Sequence, residues 1–478
     1  ELAEWKHTAE GTSALADGTS AIYEHMQQSE SIDFAVVDGV GIEGAPPERQ
    51  PLAQHALRAT YTRPFGMHGS LTPSAAVAHA APDNSAMKLW VQTQGVFPQR
   101  DTIAPIIGLD PANLTVIHME GAGCYGNNGA DDCALDAALL AKAFPGRPVM
   151  LKWTRADEHG REPYTSPMIV ELASDVDADG TITQWHHDVW SYTHLNRPMA
   201  GTDTSAYIAA QEIANGMSKP AEVPRYIRHI GEYRNADPLY ALPNKQITSH
   251  FIPDAPFKVS SLRTLGAFAN LFGIESFMDE LAHAAGEDPI AYRLRHMQDE
   301  RAIAVIKATA EHAGWQPRTT PSLSVSGHAR VGRGFAFNQY KNIQSYCGMV
   351  VDVTVDDSGK ITLDKVLMAV DSGEVINPDG LANQMEGGFV QAASWAMFEQ
   401  VTFDASGVTS LDWDSYPILR FPDAPVIETV ILDRPGYPFL GAGEASSGPV
   451  AAAIANAVFD ATGKRLRDIP FSSYQTPS

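Results

Sequence analysis

The chain has 478 residues, 44% hydrophobic and 19% charged, an ordinary globular balance long enough for two or three domains. Its formal charge of −23 argues against nucleic-acid binding and suits small substrates or basic partner surfaces. No run approaches the length of about 18 apolar residues that spans a bilayer, and the three cysteines, Cys124, Cys133 and Cys347, are too few for a disulfide framework or a four-thiolate iron–sulfur cluster.

The opening ELAEWKHTAEG has neither the basic start nor the apolar core of a signal peptide. It reads as the middle of something, either with a leader and more removed or as one piece of a longer polypeptide. The compartment, cytoplasm or periplasm, stays open. Residues 1–55 look irregular, with the turn-rich EGAPPERQP at 43–51 as a linker. From Ala59 the texture becomes β–α–β. LWVQTQG (89–95) and LTVIHME (114–120) are strand-like, and PQRDTIAPIIGL between them has helical spacing. DDCALDAALLAKAF (131–144) is a helix, with acids at its start and Lys142 near its end. RPVMLKWTR (147–155) returns as a strand.

Residues 168–194 read as two strands around a polar turn. The turn's DVDADG imitates the start of a calcium loop, but His186 stands where a bidentate glutamate is required. A helical block at 273–297, interrupted at Asp288-Pro289, follows. The hairpin texture then repeats at 347–371. Two hairpins of similar grammar predict two α+β domains of related layout, divided in the loop-like 316–332.

The last block, FLGAGEASSGPVAAAIANAVFDATG (439–463), sets Glu444 in a run of small residues ahead of an Ala-rich helix. Pro449 suits that helix's first turn and Gly463 its end. Glu444 can be a simple dipole partner at a helix entrance. The surrounding glycines and serines also let something large approach the backbone. A second glycine run, EGAGCYGNNGADD (120–132), contains G-x-G-x-x-G at Gly121, Gly123 and Gly126. It permits a nicotinamide-dinucleotide reading, with Asp157 as the ribose acid. Against that, the helix begins several residues past the last glycine, and no run of further β–α–β units follows.

Four ordered blocks together resemble the molybdopterin-binding large subunit of the xanthine dehydrogenase/aldehyde oxidase family. They are WVQTQG through LKWTRADEH, SSLRTLGAFANLFGIESFMDELAHAAGEDPIAYRLRHM, AVDSGEVINPDGLANQMEGGFVQAASWAMFE, and GAGEASSGPV through RLRDIP. The resemblance runs from about Ala59 to the C-terminus and is strongest to the bacterial isoquinoline 1-oxidoreductase beta and nicotinate dehydrogenase type. It implies an α+β fold with two molybdopterin-binding domains of mixed sheets and packed helices: 56–320, and 321–478 with the catalytic glutamate loop, after a remnant at 1–55. It implies a molybdenum hydroxylase acting on an N-heteroaromatic ring or an aldehyde.

In this family molybdenum is held by the dithiolene of a pterin, commonly the cytosine dinucleotide form in bacteria, so no protein metal ligand is expected. The resemblance makes Glu444 the general base. It places Gln94, Gly123, Tyr125, Gly126, Arg263, Gln384 and Gly443 around the cofactor. It also implies a partner carrying 2Fe-2S clusters and an acceptor subunit, cytochrome or flavin. Departures are informative. Cys124-Tyr125-Gly126 stands where the family often has Phe-Gly. NNGA replaces the second pocket glutamate of the purine branch, which argues against purines. The family's Gly-Gln-Gly turn is missing, so a second family chain or a removed N-terminal portion is expected to complete the site. A nicotinamide-dependent dehydrogenase and a non-catalytic subunit are the other readings.

Overall fold

The alternation of apolar and polar residues at 168–194 and 347–371 forms two long antiparallel hairpins, each built into a larger sheet. The computed structural model describes residues 18–198, 207–212 and 222–474. Its first half holds α1 (Ile22–Gln28), β1 (Ile32–Val37), β2 (Val40–Ile42), β3 (Leu57–Arg63), β4 (Ala75–Ala80), β5 (Met87–Val91), α2 (Val96–Ile106), β6 (Leu114–His118), α3 (Ala130–Ala143), β7 (Pro148–Lys152), α4 (Arg155–Arg161), β8 (Met168–Val176), β9 (Ile182–Ser191) and β10 (Lys245–Phe251).

These strands make two sheets. In the four-stranded one, β6-β5-β4-β7, only β5 and β6 run parallel. Ala76, Ala78 and Ala80 of β4 and Met87, Leu89 and Val91 of β5 alternate onto the face covered by α2 and α3. The six-stranded sheet has the order β2-β1-β10-β9-β8-β3. Residues 1–55 are therefore not wholly irregular: β1 pairs with β10, Ile32 opposite Phe251, and adds Phe34 and Val36 to the core. That partner lies far downstream, so no local pattern announces it.

The second half holds α5 (Ala267–Ala284), α6 (Pro289–Arg295), α7 (Glu300–His312), β11 (Ser324–Ser326), β12 (Ala329–Gln339), β13 (Tyr346–Val355), β14 (Ile361–Asp371), α8 (Pro378–Met397), β15 (Phe403–Asp404), β16 (Gly407–Val408), β17 (Val426–Ile431) and α9 (Val450–Thr462). A five-stranded sheet, β11-β12-β13-β14-β17, is antiparallel except at β14–β17. The Ala-rich helix α9 starts just after Pro449 and stops at Gly463, whose φ of 74° ends it in the left-handed conformation.

α5 packs on β8 and β3 of one sheet and on α9, which lies across β12 and β13 of the other. One apolar core runs through all of them, so the core itself does not part near residue 320. A buried polar link crosses the same line. Glu275 on α5 takes Arg293 Nε at 2.9 Å, the Tyr240 hydroxyl at 2.6 Å and the Phe337 N–H of β12 at 3.0 Å. With its oxygens all partnered, this ion pair avoids the cost of a buried charge left bare.

Small residues set how closely α9 approaches its sheet. A Cβ at Gly334 or Gly332 would collide with the helix backbone at Ala453 or Ala457. Gly334→Ala is expected to lift α9 and cost about 1–3 kcal/mol, as overpacking does, read as a lower midpoint in denaturant unfolding. An unchanged midpoint would mean that the helix is not held so closely. Because α9 continues from the Glu444 loop, the contact that sets this helix also sets one wall of the cavity below.

Candidate active site

The glycine turn after β6 is not free. Gly123, Tyr125 and Gly126 have φ of 104°, 56° and 136°, and the last two begin a strand-like pairing with Ser261–Arg263. Arg263 N–H donates to the Tyr125 carbonyl at 2.7 Å, and Asn127 N–H to the Ser261 carbonyl at 2.9 Å. A Cβ on Gly126 would run into that Ser261 carbonyl oxygen. The Gly123 carbonyl is held by Ser70 Oγ at 2.8 Å and by the Gln92 amide. Cys124 is half-buried, and burial pushes its thiol up to about 11; it is not poised as a nucleophile.

This pairing also weighs against the dinucleotide reading. The first turn of α3 carries Asp131 and Asp132, both buried, where a pyrophosphate would have to sit. The sheet around it has a single parallel pair, not the parallel run that a dinucleotide domain uses.

From the paired segment the chain turns sharply. Thr264 and Leu265 both have positive φ, 80° and 53°, and strained backbone of this kind collects at functional sites. The turn aims two donors at the last glycine loop. Thr264 N–H donates to Glu444 Oε1 at 2.8 Å. Arg263 Nε donates to the Gly443 carbonyl at 2.8 Å, with Nη2 on the same oxygen. Gln384 on α8 adds Nε2 to that carbonyl at 2.9 Å, and Arg263 Nη1 reaches Gln391 at 3.2 Å. Gly388, one turn along α8, leaves room for the guanidinium and for Ser446. Burial lowers the Arg263 guanidinium, and Glu444 opposes that shift.

Gln94, Tyr125, Gly126, Arg263, Gln384 and Glu444 line one cavity of about 600 Å³. Gly123 and Gly443 are not among its lining residues; their carbonyls are tied as described, and Gly443 lines an adjoining cleft with Gln384. Sequence reasoning missed Arg197 and Arg234, which also line the cavity. Arg197 Nη2 lies 3.4 Å from Gln94 Oε1. Each is a single arginine in irregular chain, so no periodicity marks it. Three guanidinium groups thus face one carboxylate, and the volume lies within the usual range for cofactor sites. The arrangement can hold a large, polar, anionic ligand beside a carboxylate.

The chain matches models of the molybdopterin cofactor-binding domain twice, over residues 44–209 and 274–425. It is 36% identical over 98% of its length to a nicotinate dehydrogenase subunit of Pseudomonas putida. It is 26% identical over 84% to the beta subunit of isoquinoline 1-oxidoreductase of Brevundimonas diminuta. The chain spans 38% and 48% of those two relatives. In fold it resembles quinoline 2-oxidoreductase from Pseudomonas putida 86, with a TM-score of 0.74, 14% identity, and coverage of 90% of this chain and 78% of that one. No helix among the described residues is long and apolar enough to cross a membrane. With both cofactor-binding domains in order on this α+β fold, the chain belongs to the molybdopterin-binding subunits of the xanthine dehydrogenase/aldehyde oxidase family.

Proposed function

We propose that the chain is the cofactor-binding part of a molybdenum hydroxylase. It would oxidise an electron-poor carbon of an N-heteroaromatic compound or an aldehyde, with water as the oxygen source. The observation that carries this reading is the convergence of residues from four separate sequence blocks on one cavity. The relatives' names, nicotinate dehydrogenase and isoquinoline 1-oxidoreductase, favour the heterocycle.

The residues present suit a pterin bearing phosphate. Arg197, Arg234 and Arg263 give the cavity an excess of cations. When bound, the cofactor supplies the two-electron redox centre, in its cytosine dinucleotide form on this reading. Gln94 and Gln384 offer amide groups to it, and Arg263 a fixed fork that also ties down the Gly443 loop. The turn at Gly123–Gly126 brings backbone close without side chains in the way. Glu444, held by the Thr264 N–H, takes the proton from the attacking oxygen.

Both relatives are named as subunits, which supports a multi-chain assembly. We infer a 2Fe-2S partner, an acceptor subunit of cytochrome or flavin type, and a further family segment that completes the site. The test is elemental and nucleotide analysis of the purified complex. Molybdenum stoichiometric with this chain, and a cytidine nucleotide released by acid hydrolysis, are expected. Bound nicotinamide without molybdenum would replace the reading with the dehydrogenase one.

A further inference from the structure

Residues 63–70 follow β3 and are buried, Gly69 in part, and none of them lines the cavity. Three of their side chains nevertheless reach the cavity's walls from behind. Arg63 Nη1 donates to the Leu265 carbonyl at 3.0 Å. His68 Nε2 lies 2.7 Å from the Ser261 carbonyl, and a carbonyl accepts, so that ring nitrogen carries the hydrogen. Ser70 Oγ holds the Gly123 carbonyl of the opposite wall. Arg63 and His68 are each 3% exposed.

The segment is itself tied on its far side. The Phe65 carbonyl accepts Val401 N–H at 2.9 Å, and the Gly66 carbonyl accepts Thr165 N–H at 2.8 Å. Met67 N–H donates to the Tyr416 hydroxyl at 2.7 Å, and His68 N–H to Glu162 Oε1 at 2.7 Å. Four consecutive residues so anchored present the donors of Arg63 and His68 at fixed places.

Those donors bracket the strained turn. Ser261 and Leu265 stand at either end of Leu262–Thr264, and the φ values of 80° at Thr264 and 53° at Leu265 persist where the surroundings impose them. Leu265 N–H is held by the Leu262 carbonyl at 2.8 Å, and Gly266 N–H by the Gly231 carbonyl at 3.1 Å. Arg63 and His68 take the carbonyls at the two ends. What leaves the turn is the Thr264 N–H on Glu444 and the Arg263 fork on the Gly443 carbonyl.

Resting on the reading of this cavity as the reaction site, we propose that Arg63 and His68 are positioning residues, holding the turn at 264–265 in the conformation that aims Thr264 N–H and Arg263 at the Glu444 loop. Neither lines the cavity, so both act through the turn.

The experiment compares wild type, His68→Met, His68→Gln, Arg63→Met and Tyr292→Phe in the purified complex. Glutamine can bring an amide N–H to the place of the ring Nε2–H, whereas methionine fills the space without a donor. Tyr292→Phe is the stability control. It removes an equally buried hydrogen bond, to the Gly180 carbonyl at 2.9 Å, between elements that do not line the cavity. The readouts are kcat per bound molybdenum, the denaturant midpoint, and the separation of Thr264 N from Glu444 Oε1 in crystals of the variants. In His68→Met and Arg63→Met, kcat is expected to fall by about 10–10²-fold, the scale of a misplacement near 1 Å. The separation is expected to grow by about 0.5 Å or more. His68→Gln is expected to return both to near wild type, and Tyr292→Phe to lower the midpoint with kcat unchanged. Methionine variants with wild-type kcat and separation would overturn the proposal, as would a His68→Gln no better than His68→Met. An equal fall of kcat in Tyr292→Phe, or loss of fold in both methionine variants, would make the effect one of general stability and overturn the positioning role. A wild-type complex without molybdenum would instead defeat the reading of the cavity; the separation in the crystals still decides whether Arg63 and His68 set the turn, so the two failures are distinct.

Discussion

Glu444→Gln is expected to leave the complex folded and loaded with cofactor while turnover falls by about 10²–10⁴-fold, the usual cost of losing a general base. Glutamine keeps the shape and an oxygen for the Thr264 N–H, so the loop has no reason to move. It loses the ability to take a proton. The three arginines of the cavity then face no carboxylate within it, which favours retention of an anionic cofactor. Steady-state rates and molybdenum content, measured on one preparation, check this. A rate within a few-fold of wild type with molybdenum still bound would remove Glu444 from the chemistry. Loss of molybdenum together with rate would make it a binding residue.

Gly126→Ala is expected to be the most damaging small change in the chain. Alanine rarely adopts a φ of 136°, and its Cβ would occupy the position of the Ser261 carbonyl oxygen. The paired segment must separate, carrying Arg263 and Thr264 away from the Glu444 loop. A cost of about 3 kcal/mol or more is expected, with loss of bound cofactor. Denaturant unfolding and molybdenum content measure the two effects. Gly121→Ala is the control. The nearest atoms its Cβ would meet belong to the Gln92 side chain, which can swing aside at the cost of its bond to the Gly123 carbonyl but leaves the Ser261 pairing intact. Equal damage from both would mean that the turn is sensitive to any bulk and that the Ser261 contact has no special part.

Local patterns in the sequence marked some of the regular elements. Acids and Lys142 bound α3, and Pro449 and Gly463 bound α9, because capping is decided within a turn of chain. The hairpins followed from alternation. The strand β1 did not, since its pairing partner β10 is supplied from far along the chain. The site residues came from the resemblance of four blocks, which spacing alone would not have joined. The pairing of Gly126 with Leu262, and the single arginines Arg197 and Arg234, have no local signature. Their importance arises only when distant segments meet. Of the loop-like 316–332, residues 316–323 are loop while 324–326 and 329–332 belong to β11 and β12, and α5 and the Ala-rich α9 share one core across it.

The Thr264–Glu444 hydrogen bond joins residues 180 positions apart. During synthesis, the ribosome must therefore add most of the second half before the cavity has its carboxylate wall. Closing so long a loop is slow and depends on the packing of α9, whose contacts with α5 and β12 are themselves distant in sequence. An unfinished chain can pair the strands β4–β7 while its cavity still lacks Glu444 and the Gly443 carbonyl that Arg263 and Gln384 grip. A ligand of this cavity would therefore meet its complete wall only once α9 has docked.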